Sequence, residues 1–245
     1  MNTLAIILGV LLIIFIFILY QWYTSTATIL SNSMVDLTSQ LPVITNVSSP
    51  TNTQYAYGIW VYVNTWDPSQ FKVIFNHKDV LNVYLMRNQP ALCVDVKMSD
   101  ESIISTIVTN SFPLQKWVYI IVSLDNQFLD IYLDGKLVKS VRLSNTNGTI
   151  FPVVPPKSPE VFLGNSNGTN KVYNGGNTAV TTLTTPFGAY VTRFFRWTTA
   201  MDPGTAWRYY LKGNGQTSIF GNLNMYGVQM QVLQNNVVAN TYKII

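Results

Sequence analysis

WVYIIVSLDNQFLDIYLDGKLVKSVR, residues 117–142, is the stretch that decides the fold. Its first part, Trp117 to Leu124, is apolar on both faces, as a strand in the middle of a sheet is. Phe128 to Leu133 alternates more strictly and reads as a second strand. Asp134-Gly135 follows, and both residue types tolerate positive φ, so the pair predicts a two-residue hairpin turn into a third strand, Leu137 to Leu143.

The same pattern extends to both sides of this hairpin. Tyr55–Val63, Phe71–Phe75, Asn82–Met86, Ala91–Val96 and Ile103–Val108 are short runs of β-branched and aromatic residues separated by turn signals. Val161–Gly164 and Gly188–Trp197 continue it beyond a Gly/Asn-rich loop at 165–177, and the tail from Ser218 is again β-like. One helix interrupts the series. Asp202 is placed as an N-cap, Pro203 at the first helical position and Gly213 just past the end. Nine or more strands with turns every eight to twelve residues predict an all-β chain folded as an antiparallel sandwich. No internal repeat points to a propeller or solenoid.

The N-terminus is of another kind. Residues 1–35 carry no charged side chain, and Leu4 to Tyr20 is an almost unbroken apolar run of 17 residues. As a helix it spans about 25 Å, and about 30 Å if extended to Tyr23, which matches a bilayer's hydrocarbon core. Residues 1–23 are therefore expected to be a single-pass transmembrane anchor. Leu4, Ile7, Leu11, Ile14, Phe15, Ile18 and Tyr20 would face lipid, and Trp22 and Tyr23 would sit at the lipid–water boundary. Cleavage as a signal peptide at Ser25-Thr26-Ala27 is the alternative, although the basic n-region is missing. With no Lys or Arg before Lys72, the orientation is open. Residues 24–54, polar and broken by Pro42 and Pro50, read as a stalk, and 55–245 as the sandwich.

Composition excludes several classes of function. The net charge is +4 and the 15 basic residues are scattered, so no nucleic-acid patch is expected. Cys93 is the only cysteine, which rules out an intrachain disulfide and favours a reducing compartment. His77 is the only histidine and no nucleophile elbow accompanies it, which argues against nucleophilic catalysis and a metal centre. No glycine motif for phosphates or dinucleotides occurs. Asn46, Asn147 and Asn167 stand in glycosylation sequons that matter only if the domain faces a lumen.

Four segments carry a resemblance. Residues 112–141 resemble the core hairpin of the laminin-G-like, concanavalin A-like jelly-roll family, a Trp-led strand followed by an L-x-hydrophobic-Y-hydrophobic-D-G-x-L-V pattern. Tyr57–Val61, Val161–Gly164 and Phe187–Pro203 are similar to its early, "L-x-I-G" and closing segments. The resemblance implies an all-β, concanavalin A-like antiparallel jelly-roll sandwich. Family members include carbohydrate binders, protein-interaction modules and glycoside hydrolases. The hydrolases need a strand bearing two carboxylates, whereas Glu101 and Glu160 stand alone and Asp130 and Asp134 flank a turn. The chain is therefore not expected to be an enzyme, and no cofactor or metal is expected. Calcium through Asp95, Asp100 or Asp125 is the exception the fold would allow.

Trp60, Trp117 and Trp197 lie inside strand patterns and are expected in the core, whereas Trp66, Tyr209 and Tyr210 are the candidate surface contacts. Two functions follow. The first is a structural protein linking a lipid bilayer to other proteins. A membrane-anchored form of this size and composition resembles minor capsid proteins of large icosahedral double-stranded DNA viruses, which implies a place in the virion's internal membrane beneath the capsid, among capsid partners. The second is a membrane-anchored lectin with a glycan partner.

Overall fold

A computed structural model describes residues 8–16, 19, 27–39, 41–47, 51–144, 147–164, 169–173, 176, 180–183, 186–215, 229–234 and 237–243. Residues 8–16 are helical and form α1. The strands are β1 (Ala27–Ser31), β2 (Val35–Asp36), β3 (Gln54–Val63), β4 (Lys72–His77), β5 (Leu81–Leu85), β6 (Leu92–Lys97), β7 (Ile103–Thr109) and β8 (Trp117–Asp125). They continue as β9 (Phe128–Leu133), β10 (Lys136–Arg142), β11 (Val161–Leu163), β12 (Thr169–Val172), β13 (Val180–Leu183) and β14 (Ala189–Trp197). Helix α2 (Pro203–Leu211) precedes β15 (Gln229–Gln234) and β16 (Val237–Lys243).

Two antiparallel sheets form the sandwich. One has seven strands in the order β1-β14-β3-β8-β9-β10, with β2 also on β14. The other has five, in the order β11-β4-β5-β6-β7. β12–β13 and β15–β16 are separate two-stranded ribbons. The decisive hairpin forms as its residues dictate. β8 is central between β3 and β9, and Asp134 (φ 48°) and Gly135 (φ 76°) turn β9 into β10.

Alternation sets the core. Tyr55, Tyr57, Ile59, Val61 and Val63 of β3 point inward with Val118, Ile120, Val122 and Leu124 of β8. They meet Leu81, Val83 and Leu85 of β5 and Leu92, Val94 and Val96 of β6 from the other sheet. The intervening residues form each sheet's outer face, and both outer faces are covered.

The expected stalk over residues 24–54 is corrected. β1 and β2 pair with β14, Leu37 and Val47 are buried in the inter-sheet core, and Ile44 bridges Val161. These residues satisfy their backbone on the sandwich, so the domain includes residues well before Tyr55. The structure does not support the expected transmembrane anchor. Leu11, Ile14 and Phe15 are helical and exposed, and α1 is apolar and exposed around its whole circumference. Among the described residues no helix is long and apolar enough to cross a membrane. Leu4, Ile7, Ile18, Tyr20, Trp22 and Tyr23 lie outside the described residues.

Candidate functional site

The outer face of the seven-stranded sheet is aromatic. Trp60 of β3, Tyr119 of β8, Tyr132 of β9 and Trp197 of β14 lie on it with Ala56 and Ile121. Gly58 makes the surface flat enough for these rings, because a Cβ there would come within 2.7 Å of the Tyr119 hydroxyl and 2.8 Å of the Trp197 indole. Trp60 and Trp197 are 7% and 2% exposed. They are buried as expected, but under a helix on the outer face and not between the sheets.

Helix α2 is fastened over this face at both ends. The Met201 amide donates to Ser123 Oγ (2.8 Å), and the Tyr132 hydroxyl donates to the Met201 carbonyl (3.1 Å). Asp202 then caps the helix by accepting from the Thr205 amide (2.9 Å), with Pro203 in the first turn. At the other end Arg193 donates to the carbonyls of Lys212 (2.6 Å) and Gly213 (3.0 Å), satisfying acceptors that the helix leaves open. Arg193 stands at a break in the β14–β3 register, with φ 49°. The β-bulge therefore aims the guanidinium that holds the helix.

The packed rings form a tier. Tyr119 stacks on Trp60 (5.0 Å, 23°), Trp60 on Tyr210 (5.6 Å, 22°), and Tyr210 meets Trp207 (5.3 Å, 35°). Tyr209 packs edge-on against Trp197 (4.8 Å) and Phe195 (5.4 Å). Trp207 also leans on the β9–β10 turn, where a Cβ on Gly135 would meet its indole at 2.9 Å. It is 42% exposed, and Leu211, one helical turn on, is 64% exposed. Beside it, Asp134 accepts from the Tyr119 amide (2.9 Å) and lies 3.8 Å from the Lys116 amine.

Two of the expected surface contacts lie on this helix. Tyr209 and Tyr210 are half-buried, with their rings turned onto the sheet, and Trp207 is the ring left open. Helical spacing puts Trp207 beside both Tyr210 and Leu211 and Tyr209 on the opposite side, so it alone does not single out the open ring. Trp66 is also half-buried. It packs against the inter-sheet core, and the Lys72 amine sits 3.8 Å over its ring, held by the carbonyls of Asp67 and Gln70. Burial lowers that amine to about 8.

The outer face of the five-stranded sheet is organised around a carboxylate. Asp95, 3% exposed, accepts from the Tyr84 hydroxyl (3.1 Å), the Ser105 hydroxyl and the Tyr173 amide (2.9 Å). Burial pushes its carboxyl up to about 6, and the neighbouring Cys93 thiol up to about 12. Tyr173 follows β12, so this bond ties the β12–β13 ribbon to the sheet beside buried Val172.

The three aspartates considered for calcium are engaged separately. Asp95 is held as above, Asp100 accepts from the Ser102 amide (3.1 Å), and Asp125 accepts from Gln54 (2.7 Å) and Asn126 (3.1 Å). Among the described residues no group of three His, Cys, Asp or Glu side chains could hold a metal ion. His77 lies between the sheets. Its Nε2 donates to the Ser158 carbonyl (2.8 Å), which leaves Nδ1 to accept from the Tyr57 hydroxyl (3.0 Å). Burial lowers its pKa to about 4, so the ring is neutral at physiological pH.

Residues 37–180 match the Laminin_G_3 family, described as the Concanavalin A-like lectin/glucanases superfamily. No curated protein matches the chain. Among solved structures, the binding domain of Paraclostridial Mosquitocidal Protein 1 is 11% identical, with a TM-score of 0.49 over 75% of this chain and 46% of that one. The binding domain of botulinum neurotoxin DC, in complex with rat synaptotagmin II, is 15% identical, with a TM-score of 0.47 over 69% and 39%. The same toxin domain in complex with SialylT is 13% identical, with a TM-score of 0.45 over 67% and 37%. The chain spans less than half the length of these solved chains.

Proposed function

The chain belongs to the concanavalin A-like lectin/glucanases superfamily, and on that premise we propose that it is a non-catalytic, carbohydrate-binding domain of the lectin type, tethered to a membrane by its N-terminal apolar run. One observation carries the binding reading. Trp207 offers an open indole on a support that is already rigid, with Tyr210, Trp60 and Tyr119 in a tier behind it and Gly135 beneath it. A flat, preordered ring beside hydrogen-bonding groups suits the apolar face of a pyranose, and little entropy is lost on binding.

The absence of catalysis is argued from the carboxylates. Hydrolysis of a glycosidic bond needs two of them across the scissile bond. Asp95 is enclosed by hydroxyl and amide donors, and Asp134 is engaged by an amide and a lysine. The tether is supported by α1, whose described apolar residues are exposed, and by the charge-free residues 1–35.

The test is a glycan array probed with the full chain in detergent. The expected result is binding to a defined set of oligosaccharides without added calcium, abolished by Trp207→Ala in a variant that still unfolds cooperatively. An array that stays blank contradicts the lectin reading. For the tether, carbonate washing should leave the chain in the membrane pellet; release into the supernatant contradicts it.

A second reading has its own observation. Edge strand β10 exposes Leu137 and Val138, a surface that a protein neighbour could cover. It favours a structural component of a membrane-lined assembly, a viral capsid being the instance the resemblance implies. Fixed stoichiometry in purified particles would support it, and absence from them would remove it.

A further inference from the structure

We infer that strand β10 is a docking edge for an acidic segment of another protein, which adds to the seven-stranded sheet as an antiparallel strand. The inference is independent of the sugar reading, and it gives the protein neighbour of β10 a chemistry.

β10 ends the strand order of the seven-stranded sheet, so one side of its backbone faces outward. Lys136 to Ser140 are all exposed, and so is Arg142. The other outer strands are more closed. β1 and β7 are largely half-buried, and β11 is buried and bridged by Ile44. β10 contains no proline, so every residue keeps an N–H, and its seven residues make a strand of ordinary length.

The charges on this edge decide which strand fits it. Lys136, Lys139 and Arg142 are spaced three apart, and β10 contains no acid. Residues three apart in a regular strand point to opposite faces. Here the register with β9 skips Val138, so Lys136 stands opposite Leu133 and Lys139 opposite Ile131. Leu133 and Ile131 both belong to the inter-sheet side, and the bulge therefore puts both lysines on that side. Both are exposed all the same, so the five-stranded sheet does not cover them. Leu137 stands opposite Tyr132 on the outer face and is 47% exposed. Among the described residues the ion pairs involve Lys78, Lys97 and Lys116 and none of these three cations. Arg142 donates to Gln127 Oε1 (3.3 Å) and lies over the Phe128 ring (5.9 Å).

This pattern rejects a second copy and selects an acid. Two β10 strands paired antiparallel about Lys139 would set Lys139 against Lys139 and Lys136 against Arg142, and like charges directly opposite are destabilising. Lysines on an open edge act against self-pairing in this way. An acidic strand reverses the sign. Glutamates two positions apart would meet Lys136 and Lys139 on one face, an apolar residue between them would cover Leu137 on the other, and main-chain hydrogen bonds would hold the strand.

The test is fluorescence anisotropy with the full chain in nanodiscs and a labelled peptide, Glu-Val-Thr-Glu-Val-Glu. At low salt it should bind at least about tenfold more tightly than Lys-Val-Thr-Lys-Val-Lys, and high salt should shrink the difference. Lys136→Glu with Lys139→Glu, both exposed, should invert the preference. Methylating alternate backbone nitrogens of the peptide separates strand addition from loose ion pairing. One set should abolish binding and the other should spare it, because alternate N–H groups point to opposite edges of a strand. Equal binding of the two methylated peptides, or no preference for the acidic one, overturns the proposal. A chain that sediments in detergent as a dimer and ignores the peptide has its edge covered by a second copy, which overturns it too. No binding by a monomeric chain removes the acidic partner and leaves the stoichiometry of purified particles to decide the assembly reading.

Discussion

The outer face of the seven-stranded sheet is covered by a helix lying on stacked aromatic rings, whereas that of the five-stranded sheet is covered by a β-ribbon tied to one buried carboxylate. The aromatic side gains from area and ring contact, tolerates partial exposure, and leaves Trp207 open. The polar side is directional: three donors converge on Asp95. A flat apolar surface can present a ring to a ligand without cost to itself, whereas a closed hydrogen-bond set has nothing left to offer. That difference is why the proposed binding site lies on the aromatic face.

The largest expected effect comes from removing the ring at the centre of the tier. Trp60→Ala should cost about 3–5 kcal/mol in chemical denaturation, since it opens a cavity between Tyr119 and Tyr210. A cost under about 1 kcal/mol would mean that the tier does not hold the helix.

Next in size is a pair of opposed pH effects. The Asp95 carboxyl is raised from 3.8 to about 6 in the fold, so the folded state holds its proton longer than the unfolded state. This favours folding at low pH, and stability falls by about 3 kcal/mol as pH rises from 4 to 6. His77 is lowered from 6.5 to about 4, so its neutral ring favours folding above 6.5, and about 3 kcal/mol is lost as pH falls from 6.5 to 4. In the wild-type chain the two contributions largely cancel. Asp95→Asn should unmask the His77 loss, making the variant weaken on acidification through this window. His77→Gln should do the opposite. Urea melts at pH 4, 5, 6 and 7 would check both; parallel profiles for all three proteins would refute the assignment.

A smaller effect separates helix placement from helix formation. Arg193→Ala should cost about 1 kcal/mol by leaving the Lys212 and Gly213 carbonyls, just past the end of α2, without their donor. It should also weaken glycan binding more than Arg208→Ala does, because Trp207 loses its fixed seat. Equal effects of the two substitutions would remove Arg193 from the positioning role.

Much of this was legible in the sequence. The alternation and the Asp134-Gly135 turn identify the β8–β9–β10 hairpin, and Asp202, Pro203 and Gly213 bracket α2, because these signals are local. Asp95, between Val94 and Val96, was placed on a strand, but its partners come from β5, β7 and the residue after β12, which no local pattern joins. Residues 27–47 looked like a stalk because their pairing with β14 spans most of the chain and their Ser, Thr and Asn content hides the alternation. The aromatic site was half legible: the helix was visible, but which of Trp207, Tyr209 and Tyr210 stays open depends on the sheet beneath. Gly58 and Gly135, which set that surface, read as ordinary strand and turn glycines.

The central claim is that Trp207 is the sugar-binding ring, and its indole N–H signal reports on it directly. The signal is assigned by its loss in Trp207→Phe and followed in a ¹H–¹⁵N spectrum while an oligosaccharide bound on the glycan array is added to the full chain in nanodiscs. The account predicts a saturable shift of this signal, larger than that of any other indole. A Trp207 signal that stays fixed while another indole moves, or while the sugar binds without moving any of them, would contradict it.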